Sequence, residues 1–196
     1  MAKTGVIYGI NGPVVSLAGD PGFQMNEMVY VGKENLVGEV IGLTSEKTTI
    51  QVYEETSGLK PGEVVTGTGA PVSVTLAPGI LNNIFDGIER PLKALEEKSG
   101  DFISRGATAP ALDEDKQWDV TVTVKVGDTL QAGDIYATCP ETPIITHKCM
   151  VPPGISGTVT AVQPNGAYRV NDTVVTLIDA AGEQHALSLC QKWPIR

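Results

Sequence analysis

A mainly β fold is predicted for this chain: a small N-terminal β-barrel, a short helical connector and a second β-barrel or sandwich module. Three observations carry that prediction. Strand-length apolar runs recur along most of the 196 residues, many alternating with polar residues as a half-buried strand does. The 22 glycines and 13 prolines fall between those runs rather than in one tail, so they read as turns. Only in the middle of the chain does the apolar spacing change to that of a helix.

In the first segment, Val6-Ile7-Tyr8 leads through Asn11-Gly12-Pro13 to Val14-Val15-Ser16-Leu17, two strands around a glycine-rich bend. Met28 to Val31, Leu36 to Leu43, Thr48 to Tyr53 and Val64 to Thr66 supply the rest. A small open sheet of five or six such strands would leave its edges and one apolar face bare, so closure into a barrel is expected. In the middle, Ile80, Leu81, Ile84, Phe85 and Ile88 recur at helical spacing, with Asn82, Asn83, Asp86 and Glu89 opposite. A short amphipathic helix is expected there, weakened by Gly87 and bounded by Pro91. Leu92 to Lys98 adds another turn or two, and Gly100 to Pro110 reads as a connector.

The second β segment begins near Trp118. Asp119 to Val124, Gly157 to Val162, Ala167 to Val170 and Thr173 to Ile178 are strand-sized, and Val126-Gly127-Asp128 resembles Ala132-Gly133-Asp134 six residues on. His147 is expected in a strand, with Cys149 on its face and Lys148 on the other.

Composition narrows the function classes. Apolar residues make up 41% of the chain, ample for a core, and 14 basic against 23 acidic residues leave a net charge of −9. A duplex binder needs rows of Lys or Arg, and an anionic membrane repels this balance, so neither nucleic acid nor direct membrane insertion is expected. No apolar stretch approaches the length of a membrane span or of a secretion signal. Cys139, Cys149 and Cys190 are odd in number and without metal-like spacing, which favours reduced cytosolic thiols.

The candidates for chemistry each have a plainer reading. Neither GxxxxGK[ST] nor GxGxxG occurs, and Gly67 and Gly69 read as turn glycines. Cys139, Glu141, His147 and Cys149 could be imagined around zinc, but lack convergent spacing. His185 and Cys190 make no evident catalytic pair. Glu54-Glu55, Glu96-Glu97 and Asp113-Glu114-Asp115 stand at segment ends as solvated clusters. The paired Gly-Asp turns followed by Val151-Pro152-Pro153-Gly154-Ile155-Ser156-Gly157 look like a lipoyl or biotinyl carrier. Its lysine belongs at a hairpin tip, whereas the turn here is Pro140 to Pro143 and Lys148 lies along the next strand. No catalytic, cofactor-binding or metal residue is therefore assigned.

The longest motifs point to a family. QVYEETSGLKPGEVVTGTG from Gln51, LAPGILNNIFDGIERPL from Leu76, GDFISRGATAPALDEDKQW from Gly100, VKVGDTLQAGDI, VPPGISGTV and the terminal KWPIR together resemble the N-terminal third of the catalytic A subunit of V-type and archaeal-type (A-type) rotary ATPases and ATP synthases. The resemblance implies an N-terminal β-barrel over 1–70 that joins alternating A and B subunits. It implies a connector over 71–116 leading toward a central nucleotide-binding domain, and an outward-projecting bulge module over 117–189 beside the peripheral stalks. Residues 190–196 return toward the central domain. The family makes or hydrolyses ATP, coupled to proton or sodium transport, on the cytoplasmic side of a membrane. Its Mg-ATP site lies downstream of the stretch seen here, so this chain alone is expected to bind no cofactor and show no activity. The alternatives are a stand-alone β interaction module and a carrier modified at Lys148.

Overall fold

The computed structural model describes residues 3–81, 83–100 and 103–195. Sixteen strands and one helix follow in the order β1 (Thr4–Asn11), β2 (Val14–Ala18), β3 (Glu27–Val31), β4 (Leu36–Leu43), β5 (Lys47–Val52), β6 (Val64–Pro71), β7 (Ser73–Leu76), α1 (Leu92–Ser99), β8 (Trp118–Val122), β9 (Thr129–Leu130), β10 (Ile135–Pro140), β11 (Thr146–Met150), β12 (Gly157–Val162), β13 (Gly166–Tyr168), β14 (Val175–Ile178), β15 (Gln184–Leu187) and β16 (Gln191–Pro194). Among the described residues no helix is long and apolar enough to cross a membrane. The chain divides into two compact units, one of Met1–Val74, Leu92–Ala109 and Pro194–Arg196, the other of Thr75–Pro91 and Pro110–Trp193.

In the first unit the expected barrel is closed, in the order β1-β2-β5-β4-β3-β6. Alternation along the strands turns Ile7, Val15, Leu17, Val29, Val31, Val40, Ile50 and Val65 inward, where all are essentially fully buried. Two carboxylates of the barrel strands are also buried, each 1% exposed: Glu27, on the inward face of β3 with Val29 and Val31, and Glu39, on the face of β4 opposite inward Val40. Glu27 Oε1 accepts from Gly69 N–H (2.8 Å) and Oε2 from Gln24 N–H (2.7 Å). Gly67 is required beside it, because a Cβ there would overlap Glu27 Oε1 and the Phe23 ring. The Glu39 carboxylate accepts from the Tyr53 hydroxyl.

Two elements of the middle differ from expectation. The helix expected over Ile80 to Ile88 is not formed among the described residues (Asn82 lies outside them). Asp86 Oδ1 accepts from the N–H groups of both Ile88 (3.0 Å) and Arg90 (2.9 Å), and its own N–H donates to Arg90 O. Phe85 bridges antiparallel to Pro91 and Glu89 sits at φ 63°. A short acidic side chain has offered the backbone a turn in place of helical bonds. The helix is instead α1, which buries Leu95 and ends at Gly100, at φ 72°, donating to Glu96 O. The segment read as a plain connector is anchored to the barrel. Arg105 forks onto Glu34, and Gly106 N–H donates to Glu54 Oε2 (2.9 Å) where a Cβ would strike the Glu34 carbonyl.

The second unit holds two four-stranded sheets, β11-β10-β8-β13 and β15-β14-β12-β9. Val120, Tyr136, Ala137, Cys139 and Cys149 from the first share one core with Leu130, Val159, Val175, Leu177 and Leu187 from the second. The repeated Gly-Asp turns fasten it. Asp128 Oδ2 accepts from Lys125 N–H, while Gly127 N–H and Asp128 O bond the carbonyl and N–H of Val159. Six residues on, Asp134 Oδ2 accepts from Gln131 N–H, and Gly133 and Asp134 hold Val151 in the same way. Arg169 to Asp172 is a third turn of this kind, closed by Asp172 Oδ2 on Arg169 N–H (2.7 Å). The strands β7 and β16 form a separate pair.

Gly157 is the tightest point of this unit: a Cβ there would overlap the Ile178 carbonyl oxygen across the β12–β14 ladder. Gly157→Ala is therefore expected to lower stability by about 1–3 kcal/mol. Gly166→Ala, whose Cβ meets only the Tyr168 ring at 3.8 Å, stays within about 0.5 kcal/mol. Paired urea titrations of the two variants check the difference.

Candidate functional site

The barrel exterior carries an apolar stripe. Val6 of β1 pairs directly with Val64 of β6, and they are 55% and 50% exposed. Tyr8, two residues along β1 at the bulge between Ile7 and Gly9, is 76% exposed. A groove of about 410 Å³ formed by Thr4 to Tyr8 and Ala18 to Pro21 runs beside it. Isolated exposed apolar residues are ordinary, but a directly paired valine couple beside an exposed tyrosine is a contiguous patch of the kind that marks an interface. In sequence the signal was present but indistinct, because an alternating strand does not say which face turns inward until the barrel closes.

Five sequence candidates of the second unit, Cys139, Glu141, His147, Lys148 and Cys149, fall on one hairpin. Glu141 and Ile145 close the β10–β11 turn through Glu141 N–H donating to Ile145 O (3.0 Å). Lys148 is exposed in mid-strand opposite Thr138, not at the tip, where Ile144 stands 92% exposed. The carrier geometry is therefore absent. His147 and Cys149 share the inward face of β11 as alternation requires, and Cys139 of β10 lies opposite His147. Burial pushes the Cys139 thiol up to about 11 and Cys149 to about 12, so both are inert thiols at neutral pH.

Glu141 has a task its surroundings in sequence do not reveal. Its side chain is 4% exposed, and Oε1 accepts from the N–H groups of Gly79 (2.8 Å) and Leu81 (3.2 Å). Oε2 lies 3.5 Å from His147 Nδ1. The carboxylate thus latches the segment after β7 onto the hairpin, against a pocket of about 210 Å³ lined by Leu76, Ile80, Tyr136 and Cys149 among others.

The remaining candidates are dispersed over turns and surfaces. Gly67 and Gly69 fit around buried Glu27 rather than around a phosphate. Glu54 holds Gly106, Glu55 accepts from the Ser57 hydroxyl, and Asp113 Oδ1 caps the N–H groups of Asp115 and Lys116. Glu96 and Glu97 lie exposed on α1. His185 faces Asp179, whereas Cys190 Sγ faces Asn171 Oδ1 (3.2 Å), so no Cys-His couple forms from those two.

Burial lowers the His147 pKa below its ordinary value, and the nearby Glu141 offsets this in part. The unfolded chain therefore takes up a proton that the folded one resists. Stability contributed by neutral His147 is complete above the ordinary pKa near 6.5 and is lost as pH falls through it. The melting temperature is expected to drop between pH 7.5 and 5.5, and less so in His147→Gln. Glu141→Ala, which orphans two N–H groups, is expected to cost about 1–3 kcal/mol and to speed hydrogen exchange at Gly79 and Leu81 selectively.

The family model for the ATP synthase alpha/beta family β-barrel domain matches residues 7–69. That for the ATP synthase alpha/beta subunit barrel-sandwich domain matches residues 109–196. The chain is 53% identical over all 196 residues to the V-type ATP synthase alpha chain of Halothermothrix orenii, covering 33% of that protein. It is 51% identical over 192 residues to V-type ATP synthase alpha chain 2 of Clostridium tetani, and 50% identical over 192 residues to the A subunit of the A-type ATP synthase of Methanopyrus kandleri. Each of these two alignments takes in 98% of this chain and 32% of the relative. The chain thus spans about a third of the length of these relatives.

Proposed function

We propose that this chain, whose two matched domains are those of the ATP synthase alpha/beta family, forms the structural and assembly portion of the catalytic A subunit of a V-type or A-type ATPase. The carrying observation is the alignment of 98–100% of this chain at about half identity with A subunits and V-type alpha chains, with the barrel and barrel-sandwich domains in order. In the complete assembly the work is ATP synthesis or hydrolysis coupled to proton or sodium transport, on the cytoplasmic side of a membrane. Mg-ATP is bound there by parts of the full-length protein other than these residues, which contain no phosphate-loop motif. The barrel of 1–70 binds the B subunit, the 117–189 module faces the peripheral stalk, and 71–116 and 190–196 lead toward the nucleotide-binding domain.

The Val6, Tyr8 and Val64 stripe suits the barrel's part of this role. Burying each large apolar side chain against a homologous barrel yields about 1.5–3 kcal/mol, and the exposed faces of a closed barrel offer no free strand edge as a substitute. Removing the stripe should cost assembly but not folding. Tyr8→Ser with Val64→Ser is expected to weaken association with the B subunit by about tenfold or more, read by native mass spectrometry, with the melting temperature nearly unchanged. Equal association of variant and parent, in two folded proteins, counts against the stripe as the contact. For the chain alone, phosphate release from Mg-ATP is expected at the buffer blank; turnover that disappears on altering one of its residues refutes that expectation.

A further inference from the structure

We propose that Asp179, Glu183 and His185 form a binding site for a divalent transition-metal ion on the hairpin that joins β14 to β15. The backbone puts the three on one face. Leu177 pairs with His185 and Ile178 with Gln184, and Asp179 N–H donates to Glu183 O (3.0 Å), extending the ladder by one step. Side chains opposite one another, or two apart on one strand, share a face. Asp179 therefore stands across from Glu183, with His185 next along. One donor atom from each lies within 4.8 Å of the other two.

Two of the three groups are already set for ligation. Asp179 Oδ1 accepts from the N–H groups of Ala181 and Glu183, both at 2.9 Å. The carboxylate cannot swing away, and its Oδ2 is presented to His185 Nε2 at 3.0 Å. Their side chains are only 25% and 23% exposed, so water competes less than at an open surface. Glu183 is exposed and free to rotate inward without disturbing the turn.

The spacing matches metal chemistry. Zinc binds imidazole nitrogen and carboxylate oxygen at about 2.0–2.2 Å, so two ligands on adjacent corners of an octahedron lie roughly 3 Å apart. Asp179 and His185 are at that separation now. An ion takes the place of the proton between Nε2 and Oδ2, and the neutral imidazole carries its one proton on Nδ1 instead, so the ring stays neutral and no net proton is released. Glu183 is the third ligand, and water fills the other positions. A mixed imidazole and carboxylate set suits Zn²⁺, Co²⁺, Ni²⁺ or Cu²⁺ over Mg²⁺ or Ca²⁺, which take oxygen almost exclusively.

The test is a Zn²⁺ titration of the full chain at pH 7.5 with a non-thiol reductant, followed by calorimetry and by the imidazole resonances. The expected result is one saturable Zn²⁺ per chain with the His185 ring signals shifting. Binding should be about tenfold weaker or worse in His185→Gln and measurably weaker in Glu183→Gln. His147→Gln serves as the control, because the other histidine lies beside two thiols; it should bind as the parent does. Asp179 is left intact because its carboxylate closes the turn. Absence of saturable binding overturns the proposal. So does binding that survives His185→Gln in a folded variant, or that disappears in His147→Gln, which moves the ion to the β10–β11 hairpin.

Discussion

A chain of many short strands must satisfy the backbone N–H groups that its turns leave outside any ladder, and where a side chain does so here it is most often a carboxylate. Buried or half-buried N–H groups without acceptors cost about 1–3 kcal/mol each. Asp86, Asp128, Asp134, Asp172 and Asp179 each accept from N–H groups within their own turns, while Glu27, Glu54, Glu89 and Glu141 reach N–H groups farther along the chain. The net charge of −9 is thus in good part structural. An acidic balance that in isolation only excluded nucleic acid and anionic lipid turns out to be the means by which tight turns are closed.

The two units apply the same device in opposite places. In the barrel it operates inside, where Glu27 draws the backbone at Gln24 and Gly69 together and Gly67 makes room for it. A buried carboxylate is tolerable only with its oxygens satisfied, and there both accept short N–H bonds. In the second unit the device lies outside the core, in three Asp-closed turns: two hold the buried Val151 and Val159, and the third contains the buried Val170. Leu189 N–H completes the third by donating to Val170 O (3.1 Å). A residue's chemical type fixed the turn; its distance from the core fixed whether the charge had to be enclosed.

Strands were legible in the sequence wherever alternation lasted four residues or more, because burial on one face of a sheet imposes period two. Barrel strands such as β2, β3 and β5 belong to this class, whereas β4, buried at five consecutive residues from Leu36 to Val40, was legible only as an apolar run; the match of Gly127-Asp128 to Gly133-Asp134 was visible as a repeat. The third copy was hidden because Asn171 stands where the others have glycine. The helix over Ile80 to Ile88 was misread because a spacing rule counts apolar residues and ignores a side chain able to close a loop, and Asp86 is such a side chain. Short β7, β9 and β16 carry too few residues for any period. Of the sites, the inward pairing of His147 and Cys149 followed from alternation, but the latching of Gly79 and Leu81 by Glu141 joins residues some sixty positions apart, and no local pattern encodes it. Asp179 and His185 likewise meet only once the hairpin register is set.

Closure of the barrel has a consequence for the order of events at the ribosome. β1 is the first strand made, yet one of its neighbours is β6, the last, which also seals β3. Until Pro71 has left the exit tunnel, five strands must wait with an edge and an apolar interior uncovered, and the residues around Arg105 that clasp Glu34 and Glu54 arrive later still. Pairing across so long a separation is slow compared with hairpin formation, and nascent chains lengthen at about 5–20 residues per second. The N-terminal unit therefore spends seconds as an incomplete sheet, a window in which chaperone contact or premature pairing with a second nascent chain decides the yield of assembled protein.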